Sequence, residues 1–379
     1  MPCSGVWFET NSKKTIFLIY VIAFLVIELF VRFLSHTGVV DYVPAPTTER
    51  PVFWDDISKE FGVWHHSNAS FRHITSCYDV NYHTNSYGAR DTQRSERGMG
   101  RRVVVLGDSF IEGLGVKQED RLTDLLESWT RIEHLNFGTS GDFGSIQEWL
   151  LYRTLASRFD HTDLFIFLTP ANDFRDNNPS YYPPTRYRPY LKKVPHGYDV
   201  CYTTSFEERR LQNYSYAKRV GNYVTNNIYL FNVVRQRFLQ LLGRTRPREI
   251  PPYNDFDSED EKILLYTYTQ IEQIGRGKRI YIFIIPTLRD LAAYGKSEYN
   301  FKILQLRDRL VNERQEIRVL DLMPAFISYA NKNGIDYRTF FHSCDGHWSA
   351  LGNRVAAEAV MHYVYGPRLG NREEGGRAQ

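Results

Sequence analysis

Residues 102–110 read Arg102-Val103-Val104-Val105-Leu106-Gly107-Asp108-Ser109-Phe110. An unbroken aliphatic run that stops at glycine is a short strand buried on both faces. The chain beyond it turns amphipathic: Glu119 to Arg131 places Leu122, Leu125, Leu126 and Trp129 on one helical face. The alternation then repeats. HLNFG (134–138) is a strand, Ser145 to Ala156 a helix, and LFIFLT (164–169) a strand. Further on, RIYIFII (279–285) is a strand, Glu298 to Glu313 a helix, IRVLDL (317–322) a strand, and Ala350 to Val364 a last helix. Apolar strands alternating with amphipathic helices predict an α/β chain, a three-layer α/β/α sandwich around a parallel sheet. In such sheets ligands bind beyond the carboxyl ends of the strands, so those turns are where chemistry is sought.

Composition narrows the function classes. The chain has 379 residues, 42% hydrophobic and 15% aromatic, enough for one large or two ordinary domains and unlike a disordered protein. Formal charge is +3, 47 basic against 44 acidic residues, which gives no net bias toward nucleic acid. Cysteines stand at 3, 77, 201 and 344, none in a C-x-x-C pair. Zinc ribbons and thioredoxin-type redox chemistry are therefore disfavoured, and neither a metal nor a cofactor is expected.

Residues 15–34, TIFLIYVIAFLVIELFVRFL, would span roughly 30 Å as a helix, the thickness of a bilayer core. Glu28 and Arg32 interrupt the run four apart, where they can pair or lean toward headgroups. A cleavable signal peptide is the competing reading, but no small-x-small site follows, only SHTGVVDYVPAP. Lys13-Lys14 before the run predicts a cytoplasmic tail over 1–14, an uncleaved anchor over 15–34 and the remainder on the outer side, in a bacterium the periplasm. There Cys77, Cys201 and Cys344 meet an oxidising compartment. Three cysteines allow one bond, and the pair stays open.

After the anchor, residues 35–100 form a linker and accessory segment: Pro44, Pro46 and Pro51 mark the linker, and 54–100 are weakly patterned. The main domain covers 101–365. It is interrupted at about 176–258 by an insertion too long for an ordinary connection, read as a cap. The insertion opens with NNPSYYPPTRYRPY and later carries the amphipathic stretch NNIYLFNVVRQRFLQLL. Its aromatic and arginine residues either grip a sugar or an acyl chain or simply pack on the sheet. The tail from 366 to 379 is expected to be disordered.

The turns supply four motifs. Ser109 follows the first strand, where a strand-to-helix turn can present a nucleophilic hydroxyl; the following EGLGV lacks the G-K-[ST] of a P-loop. The second strand ends in Asn136-Phe137-Gly138-Thr139-Ser140-Gly141 and the third in Thr169-Pro170-Ala171-Asn172-Asp173. A glycine N–H, the Ser109 N–H and an Asn172 amide can together cradle a tetrahedral oxyanion. Before the last helix stands Cys344-Asp345-Gly346-His347-Trp348-Ser349, with Ser349 as N-cap, His347 as base and Asp345 as its orienter. Singly, each motif reads as well as a turn or a cap. It is their order along one sheet that points to acyl chemistry.

At these residues the sequence resembles the SGNH (GDSL) hydrolase family, whose sheet is flavodoxin-like. GDSF (107–110) is similar to its first block, the Gly141 turn to its second, Asn172-Asp173 to its third and Asp345/His347 to its last. TNSYGARD (84–91) resembles the lead-in of bacterial membrane-anchored members. The usual D-x-x-H is here D-G-H-W, a form similar to that of polysaccharide O-acetyl-modifying relatives. The resemblance implies a serine esterase with Ser109, His347 and Asp345 as triad and Ser109, Gly141 and Asn172 as oxyanion hole, acting on a carbohydrate or other small ester. Two alternatives share or borrow the site. One is an O-acyltransferase decorating an exported polysaccharide, which would need a multi-span partner supplying acyl groups; the other is a non-catalytic carbohydrate-binding module.

Overall fold

A computed structural model describes residues 11–37, 39–40, 53–75, 77–182, 187–208, 216–241, 256–294, 302–314 and 317–366. The linker prolines and the 367–379 part of the tail lie outside the described residues. The chain divides into two compact units, residues 1–49 with 214–247, and residues 50–213 with 248–379.

The larger unit begins with two antiparallel hairpins, β1 (Asp55–Ser58) with β2 (Gly62–Trp64) and β3 (Ser70–Ile74) with β4 (Asp79–His83). The sheet strands follow: β5 (Arg102–Leu106), β6 (Glu133–Asn136) and β7 (Asp163–Leu168). A third hairpin, β8 (Pro189–Val194) with β9 (Gly197–Tyr202), precedes the last two sheet strands, β10 (Arg279–Ile284) and β11 (Ile317–Asp321). The sheet order is β6-β5-β7-β10-β11 and every pairing is parallel. This is the flavodoxin-type order, and the predicted α/β/α sandwich is the observed architecture. After β5 the chain steps to β6 and then returns to the far side of β5 as β7. The switch point thus falls at the carboxyl ends of β5 and β7, where open parallel sheets hold their ligand crevice.

The physical reason for the sheet lies in its strands. All residues of β5 and β7 are buried, as are Ile280 to Ile284 of β10. Helices Leu122–Thr130 and Ala350–Tyr365 pack together in one layer, and Ser145–Thr154 packs with Ser258–Ile274 in another. The first hairpins belong to this core: Phe53, Trp54, Val63, Trp64 and Tyr82 are buried with the sheet residues. The 54–100 segment is thus part of the body. The insertion divides. Its first stretch packs on the body, with Tyr187, Arg188 and Tyr190 buried, so the packing alternative for its aromatic and arginine residues holds at these three positions. Arg188 donates to Gln147 Oε1 at 2.9 Å and to the Asp176 carbonyl at 2.7 Å.

The smaller unit contains the helices Ser12–His36, Tyr216–Asn227 and Tyr229–Leu241. The segment Ser12–Ser35 is long and apolar enough to cross a membrane. Glu28 and Arg32 do pair, at 2.8 Å.

Candidate active site

The loop that carries Ser109 is shaped by what lies under it. Asp108 caps the short helix Ser109–Glu112, accepting from the Phe110 N–H at 2.9 Å. Capping places Ser109 at the first helical position, where its own N–H has no intrahelical acceptor. Ser109 is buried, and its hydroxyl lies 2.7 Å from His347 Nε2. Two glycines permit the close packing beneath. A Cβ at Gly107 would fall 2.4 Å from Ile111, and one at Gly138 would fall 2.4 Å from the Glu112 backbone nitrogen. The β6 turn therefore rests directly on the helix that carries the serine.

Glu112 ties these pieces together. Fully buried, it accepts from Trp54 Nε1 at 2.9 Å and from the Ser140 N–H at 2.5 Å, and it also accepts from the Ser140 hydroxyl; His65 Nε2 lies 3.3 Å away. Burial alone would raise its pKa, but His65, the nearby Arg90 charge and the Ser140 hydrogen bond hold it down at about 2. From the other side Arg90, in the lead-in motif, donates to the carbonyls of Glu112 (2.8 Å), Gly113 (2.5 Å) and Val116 (2.6 Å) and stacks on Tyr82. The helix C-terminus thus finds a cation and three satisfied carbonyls.

Asn172 lies in the first turn of the helix Pro170–Asp176, which follows β7. Its amide donates to Asp108 Oδ2 at 2.7 Å, and its carbonyl lies 3.3 Å from Arg175 Nη2. The predicted oxyanion donor is thereby fixed beside the serine through the residue that caps the serine's helix. Burial pushes the Asp108 carboxyl up, against the hydrogen bonds from Asn172 and Phe110. Gly141 lies in the turn after β6, at φ +103°, followed by Asp142 at φ +61°. Two successive residues at positive φ mark a turn there, a conformation open to glycine and tolerated by aspartate.

The His347 side is built differently. Ser349 caps the last helix as predicted, accepting from the Gly352 N–H at 3.3 Å. Trp348 is buried, edge-on to Phe110, whose ring also lies 5.1 Å from that of His347. Asp345 Oδ1 is 3.3 Å from His347 Nδ1, within ion-pair distance but not aligned as a hydrogen bond. The short spacing explains this. Asp345 also accepts from the His347 backbone N–H at 3.0 Å, an Asx-turn closed over Gly346 at φ +79°. One carboxylate oxygen therefore serves both the backbone and the ring. Burial opposes the imidazolium, but Asp345 outweighs it and lifts the His347 pKa above its ordinary value.

Two contacts to this loop come from the hairpin β3–β4. Tyr78 donates to Asp345 Oδ2 at 2.7 Å, and Cys77 is disulfide-bonded to Cys344. Of the three cysteines expected outside, this is the pair that forms; Cys201 stays free. Burial and the His347 pairing act in opposite directions on the Asp345 carboxyl. The pairing, helped by Tyr78, wins and holds it well below the usual range.

Ser109, His347, Asp345, Asn172 and the Gly141 turn therefore all stand at one rim of the sheet. Glu112, Arg90 and Tyr78 were not foreseen. Glu112 carries a recognisable signal, a carboxylate in the tight GDSFIEG turn-helix; Tyr78 carries none, because its partner lies 267 residues away. Among the described residues no group of three or more His, Cys, Asp or Glu side chains could hold a metal ion.

The sequence matches no protein-family model and no curated protein. Among solved structures, the chain is similar to a member of the lipolytic G-D-S-L family from Veillonella parvula DSM 2008. Identity is 11% over 70% of this chain and 99% of that one, with a TM-score of 0.37. A lipolytic protein of the same family from Desulfitobacterium hafniense DCB-2 is 12% identical over 69% and 98% of the two chains, TM-score 0.32. A carbohydrate esterase family 2 enzyme with a carbohydrate-binding domain from Corynascus thermopiles (Myceliophthora fergusii) is 10% identical over 71% and 68%, TM-score 0.35.

Proposed function

We propose that the chain is an SGNH-type serine esterase, held at a membrane by its N-terminal helix with its catalytic body on the outer side, deacylating a carbohydrate or another small ester. The observation that carries this reading is the 2.7 Å contact between the Ser109 hydroxyl and His347 Nε2 at the switch point of the sheet. A hydroxyl hydrogen-bonded to an imidazole whose other nitrogen faces a carboxylate is the arrangement that makes serine a nucleophile.

In the proposed reaction Ser109 Oγ adds to the ester carbonyl while His347 Nε2 takes its proton. Asp345 stabilises the imidazolium that results. The oxyanion is met by the Ser109 N–H, the Gly141 N–H and the Asn172 amide. Collapse expels the alcohol, which receives the proton from His347 and leaves an acyl group on Ser109. Water, deprotonated by the same imidazole, then adds to the acyl carbonyl; the acyl–Oγ bond breaks, Ser109 Oγ regains the proton from His347, and the acid is released. The disulfide Cys77–Cys344 supports the outer-side placement, since such bonds persist in oxidising compartments.

The test is p-nitrophenyl acetate turnover by the full chain in detergent, with fluorophosphonate labelling mapped to its peptide. Turnover with Ser109 labelled is the expected result. A Ser109→Ala variant that keeps its turnover would sink the mechanism. Absence of label on an intact protein would favour a binding module instead. Stimulation by bare polysaccharide, with acetate recovered on the sugar, would favour acyl transfer over hydrolysis. Alkaline phosphatase fused after Pro46 checks the topology, and an inactive fusion reverses it.

A further inference from the structure

The smaller unit contains a surface that hydrolysis does not use. Helices Tyr216–Asn227 and Tyr229–Leu241 follow one another with only Ile228 between them, and hydrogen bonds from the Ile228 N–H to the Val224 carbonyl and from the Asn232 N–H to the Ile228 carbonyl bridge the break. Tyr216, Val220, Tyr223, Phe231, Val234 and Phe238 are all exposed. Their spacing is four, three, eight, three and four, so they form one stripe along both helices, with exposed Asn227 as the polar residue at its middle. Off the stripe, Asn232 is buried and Tyr229 is half-buried.

What packs against Tyr229 is the outer third of the apolar N-terminal helix. That helix is exposed from Ile16 through Ile27, then buried at Glu28 and Ser35 and half-buried at Val31 and Arg32, a helical repeat. Glu28 accepts from the backbone N–H groups of Tyr229 (3.0 Å) and Leu230 (2.9 Å). Arg32 donates to the Asn227 carbonyl and lies 4.6 Å over the Tyr229 ring. A helix break leaves amides on one side and carbonyls on the other without partners. At this break, side chains of the apolar helix supply partners for both, which is what a break must have where water is absent. Glu28 sits six residues before Leu34, roughly 9 Å into the apolar run at helical rise.

We infer that Tyr216–Leu241 is a lipid-facing element, seated in the outer leaflet against the N-terminal helix and presenting the Tyr216-to-Phe238 stripe to phospholipid. The inference rests on the reading of Ser12–His36 as a bilayer anchor. Lipid is the occupant because the stripe belongs to the same compact unit as a helix of bilayer length, and the joint is satisfied without solvent. Tyrosine and phenylalanine along the stripe suit the interfacial zone. The polar pair in the anchor, which would be costly on a lone transmembrane helix, is used to pin a second helix there.

The test uses the full chain reconstituted in phosphatidylethanolamine–phosphatidylglycerol vesicles containing a phospholipid with a diazirine on its acyl chain. After illumination, cross-linked residues are mapped by peptide mass spectrometry. Label is expected on the 15–34 peptide and also on 216–241, recurring at the stripe positions and sparing Asn232. Label on 15–34 with none on 216–241 overturns the inference and leaves the anchor standing, whether a second copy or another protein covers the stripe. No label on either peptide removes the anchor reading and the inference with it. A Phe231→Glu/Phe238→Glu variant should lose roughly tenfold or more of the 216–241 label while 15–34 keeps its own, as expected for carboxylates facing hydrocarbon. Unchanged label in that variant also overturns the assignment, and the wild-type pattern decides the matter should the variant fail to assemble.

Discussion

The Ser109 side and the His347 side of the candidate site are held by different means. Under Ser109 the support is buried and ionic: Glu112 with Trp54, His65 and Ser140, Arg90 on the helix carbonyls, Asp108 with Asn172. Behind His347 it is partly exposed and rests on one covalent bond, one tyrosine and an Asx-turn. A buried ion network tolerates no missing partner, because the remaining charge is stranded away from water. A half-exposed loop tolerates much more. Damage to the Glu112 and Arg90 support should therefore appear as lost stability, and damage behind His347 as lost rate in a folded protein.

The largest effect expected is on rate. Ser109→Ala should lower kcat by roughly 10⁴-fold or more with an unchanged melting curve, since the side chain contributes only its hydroxyl. Glu112→Ala should destabilise the body by about 3–5 kcal/mol, the cost of stranding a buried partner, read from denaturant unfolding of the purified chain. Should Glu112→Ala unfold at the wild-type midpoint, the contrast between the two sides fails. Asn172→Ala should cost roughly 10²–10³ in kcat, the usual effect of one oxyanion donor.

The His347 side can be probed more gently. His347 must be neutral to accept a proton, and its pKa is raised by Asp345 against the effect of burial. Activity should then fall on the acid side with an apparent pKa above the ordinary histidine value of 6.5. Asp345→Asn should move that limb downward, because burial then acts unopposed; a limb that stays in place would show that Asp345 does not set the base. The linked stability has the same origin. The His347 contribution is fully present below 6.5 and is lost as pH rises through the raised folded value. That of Asp345 is present above 3.8 and is lost as pH falls toward its lowered folded value. Tyr78→Phe should have the smallest effect, roughly fivefold in kcat/KM for one neutral-donor hydrogen bond to the carboxylate, with the acid limb shifted in the same direction as in Asp345→Asn.

The same contrast explains what the sequence revealed. The sheet was legible because strands buried on both faces have to be aliphatic, as Val103-Val104-Val105-Leu106 and Ile280 to Ile284 are. The turn residues were legible because they follow those strands directly. The hairpins over 55–83 were not: β1 to β4 run three to five residues each and mix aromatic with polar side chains, too short to establish a period. Helix Ser258–Ile274 went unread although Asp257 caps it and three acidic residues fill its first turn. Those signals were local and available. Tyr78, by contrast, acquires its role only through a partner at the far end of the chain, and no local pattern encodes that.

The disulfide has a mechanical consequence. Cys77 precedes every strand of the sheet and Cys344 follows them all, so the bond closes a covalent ring around residues 102–321. A pull applied between the N-terminal region and the far end of the chain would be carried across two sulfur atoms and would bypass the β-ladders. A threading protease that starts at the carboxyl terminus would meet a knot of fixed circumference at Cys344, and would have to pass a double strand or wait for a reductant before reaching the sheet.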